Sequence, residues 1–384
     1  MQFEFSTVAK IIFGAGKLNS IGALIEEYGT RVLIVSGAPE EISDRLLNQL
    51  NLHGVHCSFI KIEREPTVDV VREVVELGRR ELTSLLIGIG GGSALDTAKA
   101  TAALLTNPGD ITDYLEVIGL NKSLIIPSLP LIAIPTTSGT GSEVTKNAVI
   151  GSPEHHVKVS LRSPHLLPRI ALVDPELTMS VPPSITATTG LDALTQLIEP
   201  FTCINPNPLT DAFCMEGIER VALSLRKSYD DGSNLPARED MSLASLLSGL
   251  ALANAKLGAV HGLAGPIGGE IPAHHGAICA SLLPNVMAAN ISALINRSPG
   301  HPTLERYTKV GKLLSGNPAA TTETAVQWVR TFCQHANIQP LSSFGLTESH
   351  FPKIIEKALK ASSMKGNPIT LTEDELRNIL HRSL

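Results

Sequence analysis

The chain has no C-x-x-C pair, no cluster of lysines and arginines, no internal repeat and no low-complexity segment. Its five cysteines, Cys57, Cys203, Cys214, Cys279 and Cys333, are odd in number and widely spaced. That excludes a disulfide framework, argues against catalytic sulfur and favours a reduced, cytoplasmic setting. A formal net charge of -6 with scattered cations argues against nucleic acid or an anionic membrane as the main partner. The opening M-Q-F-E-F-S-T lacks the basic start and apolar block of a signal peptide. The longest apolar stretch, 124–135, contains three prolines and a serine and is too short to span a bilayer. The expectation is a soluble intracellular protein.

What is present is a chain of two textures. At 384 residues it exceeds what one hydrophobic core commonly organises, so about two domains are expected. The first half holds four aliphatic runs that read as buried strands: R-V-L-I-V-S-G (31–37), C-S-F-I-K-I (57–62), S-L-L-I-G-I-G (84–90) and L-I-A-I-P-T-T (131–137). Helix-length segments at 43–52 and 68–82 separate the first three, the signature of a parallel, doubly wound sheet. The opening F-E-F-S-T-V-A-K-I-I-F-G-A-G reads as an extended pair ending in a glycine turn. Beyond Pro183, Ala/Leu-rich helical periodicity takes over, at 185–201, 209–228, 241–257, 321–335 and 348–362. The final helix opens on T-E-D-E, Thr372 to Glu375, in the form of a capping box. A break at 174–183 therefore divides an α/β domain, 1–180, from an all-helical domain, 181–384.

Three segments carry chemistry. The strand at 84–90 runs into G-G-S-A-L-D-T-A-K, where Ser93 can cap a helix and Gly90, Gly91 and Gly92 let a pyrophosphate approach bare backbone N–H groups at a helix N-terminus. The alternative is a strand-to-helix turn that needs glycine sterically. P-T-T-S-G-T-G-S-E (135–143), at another strand end, offers short donors suited to phosphate and ribose, or else is a solvated turn. In the helical half, Asp192 and Gln196 stand one turn apart on one helix face. His261 and His275 follow in V-H-G-L-A-G-P-I-G-G-E-I-P-A-H-H-G. Converging, these four would suit a divalent first-row metal, although two histidines fourteen residues apart also occur without any shared role.

These pieces resemble the iron-containing, or group III, alcohol dehydrogenases. The likeness rests on I-I-F-G-A-G, the G-G-G-S of 90–93, P-T-T-S-G-T-G-S-E-V-T, L-V-D-P-E-L, G-L-D-A-L-T, H-G-L-A-G-P-I-G-G and the G-N-P of 366–368, in order along essentially the whole chain. The resemblance implies a dehydroquinate synthase-like fold, with an N-terminal parallel-sheet domain for NAD or NADP and a C-terminal helical domain. It also implies a divalent metal, Fe2+ or Zn2+, hydride transfer between a small alcohol and an aldehyde or ketone, and a homodimer.

Carried over residue by residue, the metal ligands fall on Asp192, His261 and His275. Gln196 stands where the family has its remaining histidine ligand, and an amide oxygen is a weaker donor. A further histidine that many members carry near substrate is here Gly265. The imidazoles left for proton transfer are His275 and its neighbour His274. Cofactor contacts map onto Gly91, Gly92, Ser93, Thr136, Thr137, Thr140 and Lys158. Gly37 occupies the place where NAD-preferring members carry an acid, which admits NADP(H), with Glu40 and Glu41 close by. Lys256, shortly before His261, is either a cleft residue or a surface lysine. The departures at Gln196 and Gly265 keep open a metal-independent reductase of the maleylacetate reductase type. Cyclisation of the dehydroquinate synthase kind and a non-enzymatic sensor are the remaining alternatives.

Overall fold

Residues 2–63, 65–155 and 157–384 are described by the computed structural model; Met1, Arg64 and His156 lie outside the described residues. Two compact units emerge, Phe5–Ser180 and Val181–Leu384, the second joined by the residues preceding Phe5.

The first unit is built on β1 (Lys10–Phe13), β2 (Arg31–Ser36), β3 (His56–Lys61), β4 (Leu85–Gly90), β5 (Leu131–Pro135), β6 (Asn147–Ser152), β7 (Val157–Arg162) and β8 (Ile170–Val173). Six of these form one sheet in the order β1-β8-β5-β4-β2-β3, with every pair parallel. The helices of this unit are α1 (Ile21–Ile25), α2 (Glu40–Leu52), α3 (Val68–Arg80), α4 (Gly92–Leu104) and α5 (Ile111–Tyr114). Successive side chains of a strand leave on opposite faces. Ile34, Ile87, Ile132 and Leu172 accordingly pack into one buried cluster, and Leu33, Val35, Leu86 and Leu131 into another. Both faces are covered, so the central strands read as continuous apolar runs rather than alternations. From β2 the chain steps outward to β3 and then returns to β4 on the other side of β2. The carboxyl ends of β2 and β4 thus flank a topological switch point, the place where open α/β sheets hold ligands.

The N-terminal segment departs from expectation. Only Lys10–Phe13 is a strand, and its partner is β8, in parallel, rather than the residues just before it. β8 escaped notice because four residues are too few to show a period. The antiparallel ribbon β6–β7 was likewise unexpected.

The second unit comprises α6 (Pro183–Thr202), α7 (Pro208–Asp230), α8 (Leu235–Asn254), α9 (Ala259–Glu270), α10 (His275–Arg297), α11 (Pro302–Ser315), α12 (Thr322–His335), α13 (Phe351–Lys360) and α14 (Glu373–Arg382). α6 touches α7, α8, α10 and α11 and is buried without a break from Gly190 to Thr202. A polar residue in that stretch has no solvent, so each must find a partner inside the unit. The capping box foreseen at α14 is present, with the Thr372 hydroxyl accepting from Glu375 N and the Glu375 carboxylate accepting from Thr372 N. α9, α10 and α11 were not anticipated. α9 carries four glycines and Pro266, and α10 carries Pro284, so local propensity argues against helix where packing imposes it. By length and composition α10 could cross a membrane, yet 67% of its most apolar window is buried inside the unit.

Candidate active site

In the first unit, Gly37 and Gly90–Gly92 meet the loop after β5. Gly90 has a φ of +146°, and a Cβ there would lie 2.9 Å from both Gly37 N and Ala94 Cβ, so no other residue fits without moving backbone. Gly37 N donates to Ile89 O at 2.8 Å and Thr136 N to Gly90 O at 3.0 Å, tying three strand ends together. Thr137 and Thr140 stand 3.5 and 3.0 Å from where side chains of Gly91 and Gly92 would begin. The two loops proposed from sequence therefore meet at the carboxyl edge of the sheet, beside the crevice expected at its switch point. Ser93 does not cap α4. The helix starts one residue earlier, with Gly91 as an extended N-cap that provides no side-chain bond, and Ser93 O instead accepts from the Thr97 hydroxyl.

Lys99, which sequence reasoning passed over, holds the second loop in place. Its side chain is fully buried in α4, and Nζ reaches Asp96 Oδ1, Ser142 O and Thr145 Oγ1 at 3.0 Å each and Asn147 O at 2.5 Å. Asp96 in turn accepts from Ser142 Oγ at 2.6 Å and Val149 N at 2.9 Å. The signal was a lysine inside the otherwise small, apolar run A-K-A-T-A-A. Lys158 sits elsewhere in the unit, on β7, paired with Glu65 at 2.5 Å.

Glu143 closes the second loop and is buried, with Oε2 lacking any hydrogen-bond partner. Burial pushes its carboxyl up to about 7 from an ordinary 4.5, against a smaller opposing pull from Lys99. A carboxyl raised on folding costs nothing below pH 4.5. It destabilises progressively as pH climbs toward 7, and by a constant amount above, up to about 3 kcal/mol at about 1.36 kcal/mol per pH unit. Glu143→Gln should therefore match the parent in urea unfolding near about pH 4.5 and exceed it by ~1–3 kcal/mol near about pH 8. An equal difference at both values would show that the carboxyl is not raised.

In the second unit, α6 presents Asp192, Gln196 and Glu199 at spacings of four and three, along one face. Asp192 Oδ1 lies 3.6 Å from His261 Nε2 and 3.7 Å from His275 Nε2. Cys279, one turn along α10 from His275, brings its Sγ to 3.5 Å from the same Nε2. The ligand atoms of Asp192, His261, His275 and Cys279 are mutually within 4.8 Å. Two of them, Asp192 Oδ1 and His261 Nε2, are buried without a hydrogen-bond partner. Orphaned buried acceptors are rare in folded proteins. A pair aimed at one point beside two further donors fits a divalent first-row metal.

Glu199 orients His261. Its Oε2 lies 2.7 Å from His261 Nδ1, and its Oε1 accepts from Val260 N at 2.7 Å. With a proton fixed on Nδ1 by Glu199, Nε2 is the nitrogen that faces Asp192, and a cation there takes the place of the Nε2 proton, the arrangement of a carboxylate–histidine–metal triad. The start of α9 is held from two sides, since Asn367 Oδ1, of the G-N-P motif, accepts from Ala259 N at 3.1 Å. α10 in turn comes so close to α6 that a Cβ on Gly276 would lie 2.9 Å from Thr188 O, which sets neighbouring His275 beside Asp192. Burial disfavours the charged form of His261, but Glu199 and Asp192 outweigh it and lift the ring to about 10. Burial alone would raise the Asp192 carboxyl, yet His275 and His261 leave it below its ordinary value. Among the described residues no lysine or arginine pairs with either carboxylate, so the pocket carries a negative surplus that a cation, proton or metal must balance.

Gln196 is buried beside this cluster with both amide atoms engaged: Nε2 donates to Asp192 Oδ2 at 3.1 Å and Oε1 accepts from Ser248 Oγ at 3.0 Å. His274 is exposed at the N-cap of α10, its carbonyl accepting from Ala277 N and Ile278 N, and Lys256 is exposed. Gly265 lies one turn beyond His261, and a Cβ added there would meet nothing within 4 Å. Glu199 and Cys279 were missed from sequence. The available signals were spacings, Glu199 three residues past Gln196 and Cys279 four past His275.

The family model described as iron-containing alcohol dehydrogenase matches residues 8–175, and that of the Fe-containing alcohol dehydrogenase family, C-terminal, matches 186–384. Long-chain-alcohol dehydrogenase 1 of Geobacillus thermodenitrificans is 34% identical over 97% of this chain and 96% of its own. The 1,3-propanediol dehydrogenase of Klebsiella pneumoniae is 34% identical over 100% of this chain and 99% of its own. A crystal structure of 1,3-propanediol oxidoreductase superposes with a TM-score of 0.91 at 31% identity, covering 100% of both chains. The sulfoacetaldehyde reductase of Bifidobacterium kashiwanohense, solved in complex with NAD+, superposes at 0.85 and 27% identity, over 100% of this chain and 99% of that one.

Proposed function

The chain belongs to the iron-containing alcohol dehydrogenase family and is a metal-dependent oxidoreductase that moves hydride between a nicotinamide dinucleotide and an alcohol or carbonyl compound; from that premise we propose which residues do it. Residues 1–180 form the dinucleotide domain, with Gly37, Gly91, Gly92, Ser93, Thr136, Thr137 and Thr140 around the cofactor and Lys158 at its margin. Residues 181–384 form the metal and substrate domain, with Asp192, His261 and His275 holding the metal. The two unpartnered atoms, Asp192 Oδ1 and His261 Nε2, carry this reading.

A divalent metal there supplies a fixed positive charge for the substrate oxygen, and the dinucleotide supplies or takes the hydride. The residues themselves orient. Glu199 keeps the proton of His261 on Nδ1, and Gln196 steadies Asp192 through Oδ2. The His275 side chain, 44% exposed, is the side of the cluster open to a substrate oxygen. His274 is exposed next to it, a second imidazole at the same mouth. The open space at Gly265 leaves room for a short alcohol or aldehyde such as the propanediol named for two of the relatives. With no carboxylate at Gly37, NADP(H) is admitted as well as NAD(H). The net charge of -6 and the burial of α10 argue against nucleic acid and membrane as partners, and the odd, widely spaced cysteines together with the family likeness support a cytoplasmic homodimer.

Chelator-stripped protein, assayed anaerobically by nicotinamide absorbance against short alcohols and aldehydes, should regain activity only when Fe(II) or Zn(II) is added. Activity indifferent to metal would place the chain with metal-independent reductases of the maleylacetate reductase type.

A further inference from the structure

We propose that Cys279 Sγ, and not Gln196, completes the metal's ligand set, giving an Asp192–His261–His275–Cys279 site. The inference rests on the metal reading above and deepens it. With metal–nitrogen and metal–oxygen bonds of about 2.0–2.2 Å and a metal–sulfur bond of about 2.3 Å, the edges of a tetrahedron are about 3.3–3.6 Å. The distances from Asp192 Oδ1 to the two imidazole nitrogens, 3.6 and 3.7 Å, and from Cys279 Sγ to His275 Nε2, 3.5 Å, are already near those edges, so a metal could be seated with small adjustments. The Gln196 amide is engaged elsewhere, bridging Ser248 and the outer oxygen of Asp192. Asp192 Oδ1 and His261 Nε2, both buried and unpartnered, point into the space that Cys279 Sγ closes.

Binding forms a metal–sulfur bond as the Cys279 S–H bond breaks and a metal–nitrogen bond as His261 gives up its Nε2 proton, and both protons leave to water. Asp192 and the thiolate then neutralise a divalent ion with the imidazoles uncharged, while Glu199 keeps its charge against the Nδ1–H of His261. A thiolate is a softer donor than an imidazole or an amide oxygen, so the site should favour Zn2+ over Fe2+ more than an all-nitrogen and oxygen set does.

The test is zinc K-edge X-ray absorption on the full chain, stripped and reloaded with one equivalent of Zn(II), with affinity read by competition against a chromophoric chelator. One sulfur at about 2.3 Å among nitrogen and oxygen neighbours is expected. Cys279→Ser, which keeps the other four cysteines, should lose that sulfur and bind zinc at least about tenfold more weakly. Stoichiometric zinc without sulfur in the parent protein overturns this proposal and leaves the metal reading standing. Failure of the parent to retain zinc or iron at all overturns both. The parent spectrum decides even if the variant does not fold.

Discussion

Asp192→Ala is expected to lose the metal and, with it, turnover by a factor of ~10³ or more, since a metal acting on the substrate oxygen is worth several kcal/mol at 1.36 kcal/mol per tenfold. Asp192 faces both imidazoles through Oδ1 while Oδ2 accepts from Gln196. Removing it leaves His261 and His275 without the anion between them. Dinucleotide affinity should stay nearly unchanged, because the glycine loops belong to the other unit. Metal content by elemental analysis, kcat/KM and NADH binding by fluorescence read the three quantities separately. Glu199→Gln is the graded counterpart. It keeps the shape but weakens the hold on His261 Nδ1, for an expected loss of about 10–100-fold in metal affinity. Undiminished turnover in Asp192→Ala would remove the basis for the metal assignment.

Lys99→Met should destabilise the α/β unit by ~3 kcal/mol or more, the scale for removing one partner of a buried ion pair. Methionine keeps the length of the side chain and none of its donors. Asp96 would lose its cation, and Ser142 O and Asn147 O would lose the donor that holds the loop after β5 against α4. Since Thr137 and Thr140 of that loop stand against Gly91 and Gly92, NAD(H) affinity should fall at least ~10-fold along with stability, by the 1.4 kcal/mol-per-decade relation. Urea unfolding and cofactor titration together check this. A loss below about 1 kcal/mol with unchanged affinity would show that the loop is held by its backbone turns alone.

Much of this architecture was written in local patterns. Continuous aliphatic runs at 31–36, 85–90 and 131–135 are what a sheet covered on both faces demands, and they were legible as strands. β1 was legible as extended chain running into a glycine turn, but its partner was not, nor was β8, because such four-residue strands pair across roughly 160 residues of chain, which no window reveals. α9 and α10 were hidden for a different reason. Their glycines and prolines are disfavoured in a helix by local energetics, and Gly276 is there because α10 presses on the backbone of α6. At the site, Asp192, His261 and His275 were visible as chemistry-bearing types in ordered motifs. The residues that hold them, Lys99, Glu199 and Asn367, were not, because a buried polar side chain is distinguished from an exposed one only by its partners. Cys279 illustrates the same limit, since a thiol in an apolar helix reads as core until three ligand atoms are found beside it.

Glu199 has one oxygen on the Val260 amide in the first turn of α9 and the other on the ring of His261, so a single side chain belongs at once to the scaffold and to the chemistry. Anything that pulls on His261 pulls on the root of the helix that bears it. A metal held by His261 would for that reason be a building part of the helical unit, and the heat resistance of a preparation would gauge how fully it has been loaded.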